Sequence, residues 1–307
     1  MALRLTILGC GSALPAKQRN PSSQLLNTPD GIFLIDCGEG TQLRMRQEHL
    51  KLQSLSHVLI SHMHGDHYLG LVGLLSSMNL LGRTKEITLI GPEHLEDLVT
   101  SHCRYSGSKF QYPIHFQVTD HTKSALIYES SHLLVKSFPL MHRVPTTGFH
   151  FQEKTRPRKL IKKKLEFFNV PIKQRVPLTM GEDFITEEGE IIPNERLTTD
   201  PPKPTSYAYC SDTGYFPSVV EHVKGCDLLY HEATFMDMDA ARAKKTQHST
   251  ARQAAMIAKE AEVDQLLLGH YSARYRELDE LLAQAKEVFP QSRLAEEGLV
   301  IDIDKDC

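Results

Sequence analysis

Residues 62–67 read His62-Met63-His64-Gly65-Asp66-His67. Four of these six side chains, those of His62, His64, Asp66 and His67, are of types that bind zinc through nitrogen or oxygen. A strand is predicted just before them, so the side chains at 62, 64 and 66 should alternate as in an extended chain, while His67 points elsewhere. One short loop would then serve two adjacent metal positions, with Gly65 permitting the tight backbone that this crowding requires.

Three further candidate ligands, His142, Asp212 and His270, each follow an apolar run typical of a buried strand. The predicted strands are 3–8, 32–36, 58–61, 87–90, 133–140, 207–211, 228–230, 265–268 and 299–303, and the predicted helices are 70–81, 250–262 and 275–288. Ends of neighbouring strands meet at one rim of a sheet, where α/β folds place their sites. Residues far apart in the chain should therefore form one cluster.

The seven candidate ligands predict two zinc ions per subunit. We expect one ion on His62, His64 and His142, the other on Asp66, His67 and His270, and Asp212 between them. Two ions about 3.5–4 Å apart suit phosphodiester hydrolysis, because they lower the pKa of a water and stabilise the entering and leaving oxygens. Iron and manganese accept the same ligand types and stay open as alternatives.

The segment 149–200 interrupts the pattern of strands and turns. Between residues 153 and 175 it has nine basic and two acidic residues, a local net charge of +7. The basic residues that we expect to contact RNA are Arg156, Arg158, Lys159, Lys162, Lys163 and Lys164. The apolar residues of this segment are too few for a separate core, so the sequence predicts one domain, 1–307, with a projecting arm at 149–200. A solvated lysine face on a surface helix is the alternative.

The composition sets limits on compartment and partners. The net charge of the 307-residue chain is −3, so any nucleic-acid site must be a local basic patch. No stretch of eighteen apolar residues occurs, and the first residues resemble a strand more than a secretory signal. We therefore expect a cytoplasmic protein without a membrane partner.

The His62–His67 motif resembles the signature of the metallo-β-lactamase superfamily, which implies an α/β fold, an αββα sandwich with a dinuclear metal site. Three more motifs resemble those of the ribonuclease Z family. They are Pro15-Ala16-Lys17-Gln18-Arg19-Asn20, His231-Glu232-Ala233-Thr234 and His248-Ser249-Thr250. The resemblance covers nearly the whole chain in the expected order.

This resemblance implies an endoribonuclease that cuts precursor tRNA just after the discriminator base. The products would be a tRNA 3′-hydroxyl and a trailer 5′-phosphate. Asp66 looks like the general base, His248 like the proton donor to the leaving oxygen, and Glu232 like the carboxylate that orients His248. The residues that look like the loop sensing the discriminator end and any CCA are Lys17, Arg19 and Asn20.

The basic segment is similar to the family's flexible arm, which clamps the elbow of the tRNA. The resemblance also implies a homodimer, in which the arm of one subunit holds the RNA that the other cuts. The sequence departs from the family pattern in two places. Asn169–Pro177 has the prolines but not the glycines of the arm, and Cys210-Ser211-Asp212-Thr213 is an altered form of the motif around Asp212.

Two other interpretations are compatible with parts of the sequence. A small-molecule hydrolase of the same fold would share all seven ligands, but it has no need for a basic arm or for the loop of Lys17. A non-catalytic RNA-binding subunit would need the arm alone, and the complete ligand set argues against it. RNA binding that weakens steeply with salt would distinguish a tRNA-processing enzyme from a small-molecule hydrolase. Stoichiometric bound metal would distinguish it from a non-catalytic RNA-binding subunit.

Overall fold

The structure, a computed structural model, describes residues 3–16 and 19–307. Its strands are β1 (Arg4–Gly9), β2 (Ser23–Thr28), β3 (Gly31–Cys37), β4 (Leu55–Leu59), β5 (Ile87–Gly91), β6 (Ile114–Val118), β7 (Ala125–Glu129), β8 (Leu133–Pro139), β9 (Thr147–Glu153), β10 (Lys159–Leu160), β11 (Phe184–Ile185), β12 (Ile191–Ile192), β13 (Thr198–Thr199), β14 (Ser206–Cys210), β15 (Leu228–Glu232), β16 (Gln265–Gly269), β17 (Ser292–Leu294) and β18 (Val300–Asp302). Its helices are α1 (Thr41–Gln47), α2 (Gly65–Tyr68), α3 (Leu71–Leu80), α4 (Leu95–Ser106), α5 (Lys162–Phe167), α6 (Ile172–Thr179), α7 (Asn194–Leu197), α8 (Val220–Val223), α9 (Ala240–Thr246), α10 (Ala251–Glu260), α11 (Asp279–Lys286) and α12 (Ile303–Asp306). Among these helices none has the length and apolarity needed to span a membrane.

The larger of two compact units contains the chain up to Gln152 together with Thr205–Cys307. It holds two seven-stranded sheets, of order β18-β1-β2-β3-β4-β5-β6 and β17-β16-β15-β14-β9-β8-β7. The strands from β3 to β6 are parallel to one another, as are those from β14 to β17. The ends of these parallel strands are the rim at which the sequence predicts the metal ligands.

The alternation of side chains along β3 explains how the layers pack. Phe33 and Ile35 belong to the core between the sheets, where the ring of Phe33 meets that of Phe151 at 5.5 Å. Leu34 points the other way, into a second core that it shares with Leu74 of α3. Helix α10 covers the other sheet with a row of buried alanines. The predicted αββα sandwich is confirmed.

Most predicted elements are present with small shifts at their ends. The helix predicted at 250–262 begins after Thr250, whose side chain accepts from the Gln253 backbone N–H in a capping box. The helix predicted from 275 begins only at Asp279. Outside the segment 149–200, the sequence analysis missed β2, β6, β7, β9 and β17 and the helices α1, α2, α4, α8 and α9. Periodic signals were available in some of them, such as the alternation of Phe149 and Phe151 in β9 and the spacing of Leu95 and Val99 in α4, whereas several others are too short to show a period.

The smaller compact unit is Glu153–Pro204. Its start differs from the predicted 149 because β9 continues the second sheet to Gln152, which pairs with Ser206. The statement that this segment cannot form a core was wrong. A buried cluster fills it, made of Leu165, Val170, Leu178, Phe184, Ile192 and Leu197. The last four of these residues lie singly or in short apolar pairs among polar residues in the sequence, so no apolar run predicted their shared burial.

Candidate metal centre

The motif that follows β4 divides into an extended part and a helical part. His62 and His64 lie on extended chain, and His64 is the N-cap of α2 with ψ 144°. Asp66 and His67 lie in the first turn of α2. The expected strand-like alternation through residue 66 was therefore wrong, because a helical turn places the second pair of side chains.

Two glycines keep space open beside the ligands. A Cβ on Gly65 would approach Leu69 Cδ1 to 2.9 Å, and one on Gly269 would approach Tyr230 Oη to 2.1 Å. Gly65 is not in the left-handed region, so it serves by its size and not by an unusual backbone conformation. A side chain at position 65 would push against the end of the helix that carries Asp66 and His67, and one at position 269 would push against Tyr230 of β15, the strand that carries Glu232.

The first ligand group contains three imidazoles and one carboxylate, and their ligand atoms all lie within 4.8 Å of one another: His62, His64, His142 and Asp212. His64 Nδ1 is 3.0 Å from His62 Nε2 and 3.2 Å from His142 Nε2. Ligands on a tetrahedral zinc with bonds of about 2.0–2.1 Å are separated by about 3.3 Å. The nitrogen positions thus fit a shared metal ion.

The second group contains Asp66, His67 and His270. The Nε2 atoms of both histidines are buried and have no hydrogen-bond partner. They lie 3.1 and 3.0 Å from Asp212 Oδ1, while Asp212 Oδ2 faces His62 Nε2 at 3.5 Å. Asp212 therefore directs one oxygen to each group. Two unsatisfied buried nitrogens beside carboxylates are the donor set that a cation would satisfy.

The burial of the first group fixes its charge state. Burial lowers the pKa of His62, His64 and His142, which keeps these imidazoles neutral, the form that binds metal. Burial alone would raise the pKa of Asp66, but the positive charges beside the carboxylate, that of His67 first, outweigh burial and lower that pKa. A neutral imidazole set beside ionised carboxylates is prepared for a cation.

Asp36 holds the ring of His67 through Nδ1, the nitrogen that does not face the ligand cluster, and the sequence analysis missed it. Its Oδ2 accepts from His67 Nδ1 at 2.7 Å and from Tyr209 Oη at 2.6 Å, and its Oδ1 accepts from the Ser61 backbone N–H at 2.8 Å. With Nδ1 donating to Asp36, Nε2 of His67 is left for the metal. The signal was available, because Asp36 lies at the end of a predicted strand, as several candidate ligands do.

His248, which is partly exposed, pairs with the buried Glu232 at the edge of the ligand cluster. His248 Nδ1 is 2.7 Å from Glu232 Oε1, and Glu232 also accepts from Thr234 Oγ1 at 2.6 Å. Burial lowers the pKa of His248, but the charge and the hydrogen bond of Glu232 outweigh burial and raise that pKa to about 9. The imidazole is thus held protonated at neutral pH, with Nδ1 occupied by Glu232. His248, Asp212 and His270 also form a third group of ligand type, within 4.8 Å.

The loop before β2 contacts the cluster through its backbone. The Ala13 N–H donates to Asp66 Oδ2 at 2.7 Å. Of the loop residues expected to bind RNA, Arg19 donates to the Tyr275 backbone oxygen, and Asn20 Nδ2 donates to Glu297 Oε2 at 2.7 Å. Both side chains therefore have protein partners, and Lys17 lies outside the described residues.

The predicted arm residues fall into two classes. The lysines, which are exposed, are Lys159, Lys162, Lys163 and Lys164. The two arginines are paired within the smaller unit: Arg156 contacts Glu153 at 2.8 Å, and Arg158 contacts Asp200. The lysines are thus better placed than the arginines to meet a phosphate backbone.

A cleft of about 460 Å³ opens over the ligand cluster, and three arginines line it: Arg143, Arg242 and Arg274. The sequence analysis missed all three, because each is an isolated arginine outside a basic run. Arg143 directly follows His142, so the strand-end rule could have found it. No local pattern marks Arg242. Arg274 also contacts Asp239 at 3.2 Å, so part of its charge is balanced within the protein. The remaining positive charge makes the cleft suitable for a phosphate-bearing substrate.

Comparisons with known proteins agree with this arrangement. The family model described as anti-Pycsar protein Apyc1 matches residues 3–156, and that described as beta-lactamase superfamily domain matches residues 201–271. Ribonuclease Z of Parabacteroides distasonis is 45% identical over 299 residues, which cover 97% of this chain and 98% of that protein. Ribonuclease Z of Porphyromonas gingivalis is 45% identical over 302 residues, covering 98% and 99%.

The structure of this chain is also similar to solved structures. Human tRNase Z, short form, has a TM-score of 0.70 at 27% identity and covers 98% of this chain and 99% of its own. The metallo-beta-lactamase fold protein YhfI from Bacillus subtilis has a TM-score of 0.69 at 18% identity, covering 98% and 100%. The second comparison bears on the fold alone.

Proposed function

The chain belongs to the ribonuclease Z family, with a metallo-β-lactamase fold, and on that premise we propose that it is a metal-dependent endoribonuclease that cuts precursor tRNA 3′ of the discriminator base. Cleavage leaves a 3′-hydroxyl on the tRNA and a 5′-phosphate on the trailer. The observation that carries the proposal is the position of Asp212, with one oxygen facing each ligand group, beside the His248–Glu232 pair.

Two zinc ions per subunit fit the donor set. His62, His64 and His142 would hold one, and Asp66, His67 and His270 the other, with Asp212 shared. When bound, two such ions lower the pKa of a water and stabilise the entering and leaving oxygens. Imidazole and carboxylate ligands also suit iron and manganese, so metal analysis decides the native ion.

The residues around the ions hold and move protons. Asp66 orients the attacking water and accepts its proton, and the Ala13 N–H keeps the carboxylate in place at 2.7 Å. His248 donates a proton from Nε2 to the leaving 3′-oxygen, because its Nδ1 is occupied by Glu232. Glu232 holds the ring orientation and the positive charge that this donation needs.

The tRNA is held by charge at two places. Arg143, Arg242 and Arg274 contact phosphates near the cut, and the arm lysines bind the RNA backbone elsewhere without reading its sequence.

From the family resemblance we also infer a homodimer, in which the arm of one subunit serves the active site of the other, and a cytoplasmic location. The family resemblance also leaves Lys17, Arg19 and Asn20 as the residues that we propose to sense the discriminator end, with Arg19 and Asn20 held in place by Tyr275 and Glu297.

The direct test is cleavage of a 5′-labelled precursor tRNA with the cut mapped to the nucleotide. We expect one product ending at the discriminator, lost when a chelator is added. Asp66→Ala should abolish cleavage, whereas Asp97→Ala, at an exposed carboxylate of α4, should not. Cleavage that persists in the Asp66→Ala protein would exclude the proposed role of Asp66. A rate independent of salt would favour the small-molecule hydrolase instead.

A further inference from the structure

The hydroxyl of Ser61 connects one ligand of the first group to one ligand of the second. Its Oγ is 3.0 Å from Nδ1 of His62, in the first group, and it donates to Asp36 Oδ2 at 2.9 Å. The same Asp36 oxygen accepts from Nδ1 of His67, in the second group, at 2.7 Å. All four side chains are buried, and none of them lines the cleft over the ligand cluster. Neither bulk water nor the substrate therefore competes for these contacts.

The ligand nitrogens fix the direction in which each of these groups donates. His62 Nε2 faces Asp212 Oδ2 at 3.5 Å and is the nitrogen offered to the metal, so the ring hydrogen lies on Nδ1. His62 Nδ1 therefore donates to Ser61 Oγ, and the hydroxyl gives its own hydrogen to Asp36. The imidazole of His67 donates to the same carboxylate. The donors thus form one chain, from His62 through Ser61 to Asp36, which His67 joins at its end.

His62 depends on the Ser61 hydroxyl as its acceptor. In the part of the chain that the structure describes, no other acceptor lies within hydrogen-bond distance of His62 Nδ1. By contrast, His142 Nδ1 contacts the backbone oxygen of Gln247 at 2.9 Å, an acceptor that no side-chain substitution removes. A buried N–H without an acceptor is unfavourable, so loss of the Ser61 hydroxyl disfavours the form of His62 that binds metal through Nε2.

We propose that Ser61 is a positioning residue that couples the two metal positions, and this inference rests on the dinuclear centre of the proposed function. A metal ion on His62 holds the ring hydrogen on Nδ1, which turns the Ser61 hydroxyl toward Asp36. The hydroxyl then fixes the carboxylate that orients His67. An ion on His67 acts in the opposite direction through the same contacts. The two positions are therefore joined by this chain as well as by Asp212, which faces both.

The coupling has a consequence that direct contacts do not have. Among the described residues, Asp36 makes no hydrogen bond to an imidazole of the first group. Asp36→Asn should nevertheless weaken metal binding at the His62 position, because it disturbs the hydroxyl that accepts from His62 Nδ1. Loss of the Asp36 charge weakens cation binding at short range as well, but that effect does not need Ser61. A comparison of Asp36→Asn in the wild type and in Ser61→Ala protein isolates the part that the hydroxyl transmits.

Titration of the metal-free protein with Cd²⁺, followed by cadmium NMR and by competition with a chelator, tests the role of Ser61. The two positions have different ligands, so each should give its own signal and its own affinity. Ser61→Ala should weaken Cd²⁺ binding at the His62 position about 10- to 100-fold, the range for loss of a group that orients a ligand. Ser61→Thr, which keeps the hydroxyl, should bind more tightly than Ser61→Ala. Ser137→Ala is the matched control, at a buried serine whose Oγ has no hydrogen-bond partner, and should bind as the wild type does.

The double variant tests the coupling itself. Asp36→Asn should weaken Cd²⁺ binding at the His62 position more in the wild type than in Ser61→Ala protein, by at least about twofold, the lower end for residues in contact. Equal weakening in both proteins would refute the coupling, and unchanged affinity in Ser61→Ala protein would refute the positioning role. Either result would leave the dinuclear centre standing. A wild-type protein that takes up neither Cd²⁺ nor Zn²⁺ would refute the proposed metal-dependent function.

Discussion

Glu232→Gln isolates the electrostatic part of the His248–Glu232 pair. The carboxylate is buried, and its Oε1 accepts from His248 Nδ1 at 2.7 Å. Glutamine has nearly the same shape, and its amide oxygen can accept the same hydrogen bond. The substitution therefore removes the negative charge while keeping the orientation of the ring.

The pKa of His248 gives the expected size of the effect. Burial lowers this pKa, and the charge of Glu232 is the main influence that raises it to about 9. The charges of Asp212 and Asp66, which also raise it, are balanced when the metal ions are bound. Without Glu232 the pKa should fall to its ordinary 6.5 or below. At pH 7.5 the protonated fraction would drop from about 97% to about 9% or less, roughly tenfold.

The assay is kcat at saturating precursor tRNA between pH 6 and pH 10. A proton donor with a raised pKa is active below that pKa, so the wild-type rate should decline only as the pH passes about 9. In Glu232→Gln protein the same decline should begin below pH 7, with KM nearly unchanged. Glu221→Gln, at an exposed glutamate, is the matched control. If both proteins lost activity over the same alkaline range, His248 would not be the proton donor that Glu232 supports.

Two further predictions concern the metal support and the arm. Asp36→Asn should weaken metal affinity about 10- to 100-fold, because His67 loses the negative charge beside its Nδ1. Metal titration of this variant, with Asp97→Asn as the control, measures the effect. An unchanged affinity would contradict the prediction. Replacing residues 154–204 by Asn-Gly should close β9 and β14 as a hairpin, since Gln152 pairs with Ser206. The shortened protein should still hydrolyse bis-nitrophenyl phosphate. Its KM for precursor tRNA should be higher, and that KM should depend less on salt. Equal loss of both activities would show that the arm is not a separate RNA clamp.

The candidate ligands could be predicted because their positions follow one rule of the fold. His142, Asp212 and His270 each closely follow a strand, and strands that run in the same direction bring such ends to one rim. Asp66 and His67 instead lie in α2, which begins directly after His64. His142, Asp212 and His270 are separated by dozens of residues in the chain, yet the apolar run before each of them was visible. Asp36 also lies at the end of a strand, β3. It was not predicted because it contacts the candidate ligand His67 and does not belong to the His62–His67 motif.

Other parts of the site leave no trace in the sequence. The Ala13 N–H that holds Asp66 is a backbone group, which every residue except proline carries. Asn20 is tied to Glu297, which is 277 residues away, so the partner of a loop residue expected to bind RNA depends on tertiary packing. Arg242 likewise reaches the cleft only through the placement of α9.

The backbone at the rim shows how the sheets gather these side chains. Asp36, Asp212 and His270 all have φ between 56° and 58°, and so does Ala13. Left-handed conformations are uncommon for residues other than glycine, and they persist where the surrounding structure imposes them. At each of these positions the chain turns sharply, close to a strand end, and directs a carboxylate, an imidazole or an N–H toward the same centre. The ligand geometry is therefore set by backbone turns built on rigid strands, so a substitution that relaxes such a turn should misplace a ligand even where every ligand side chain is retained.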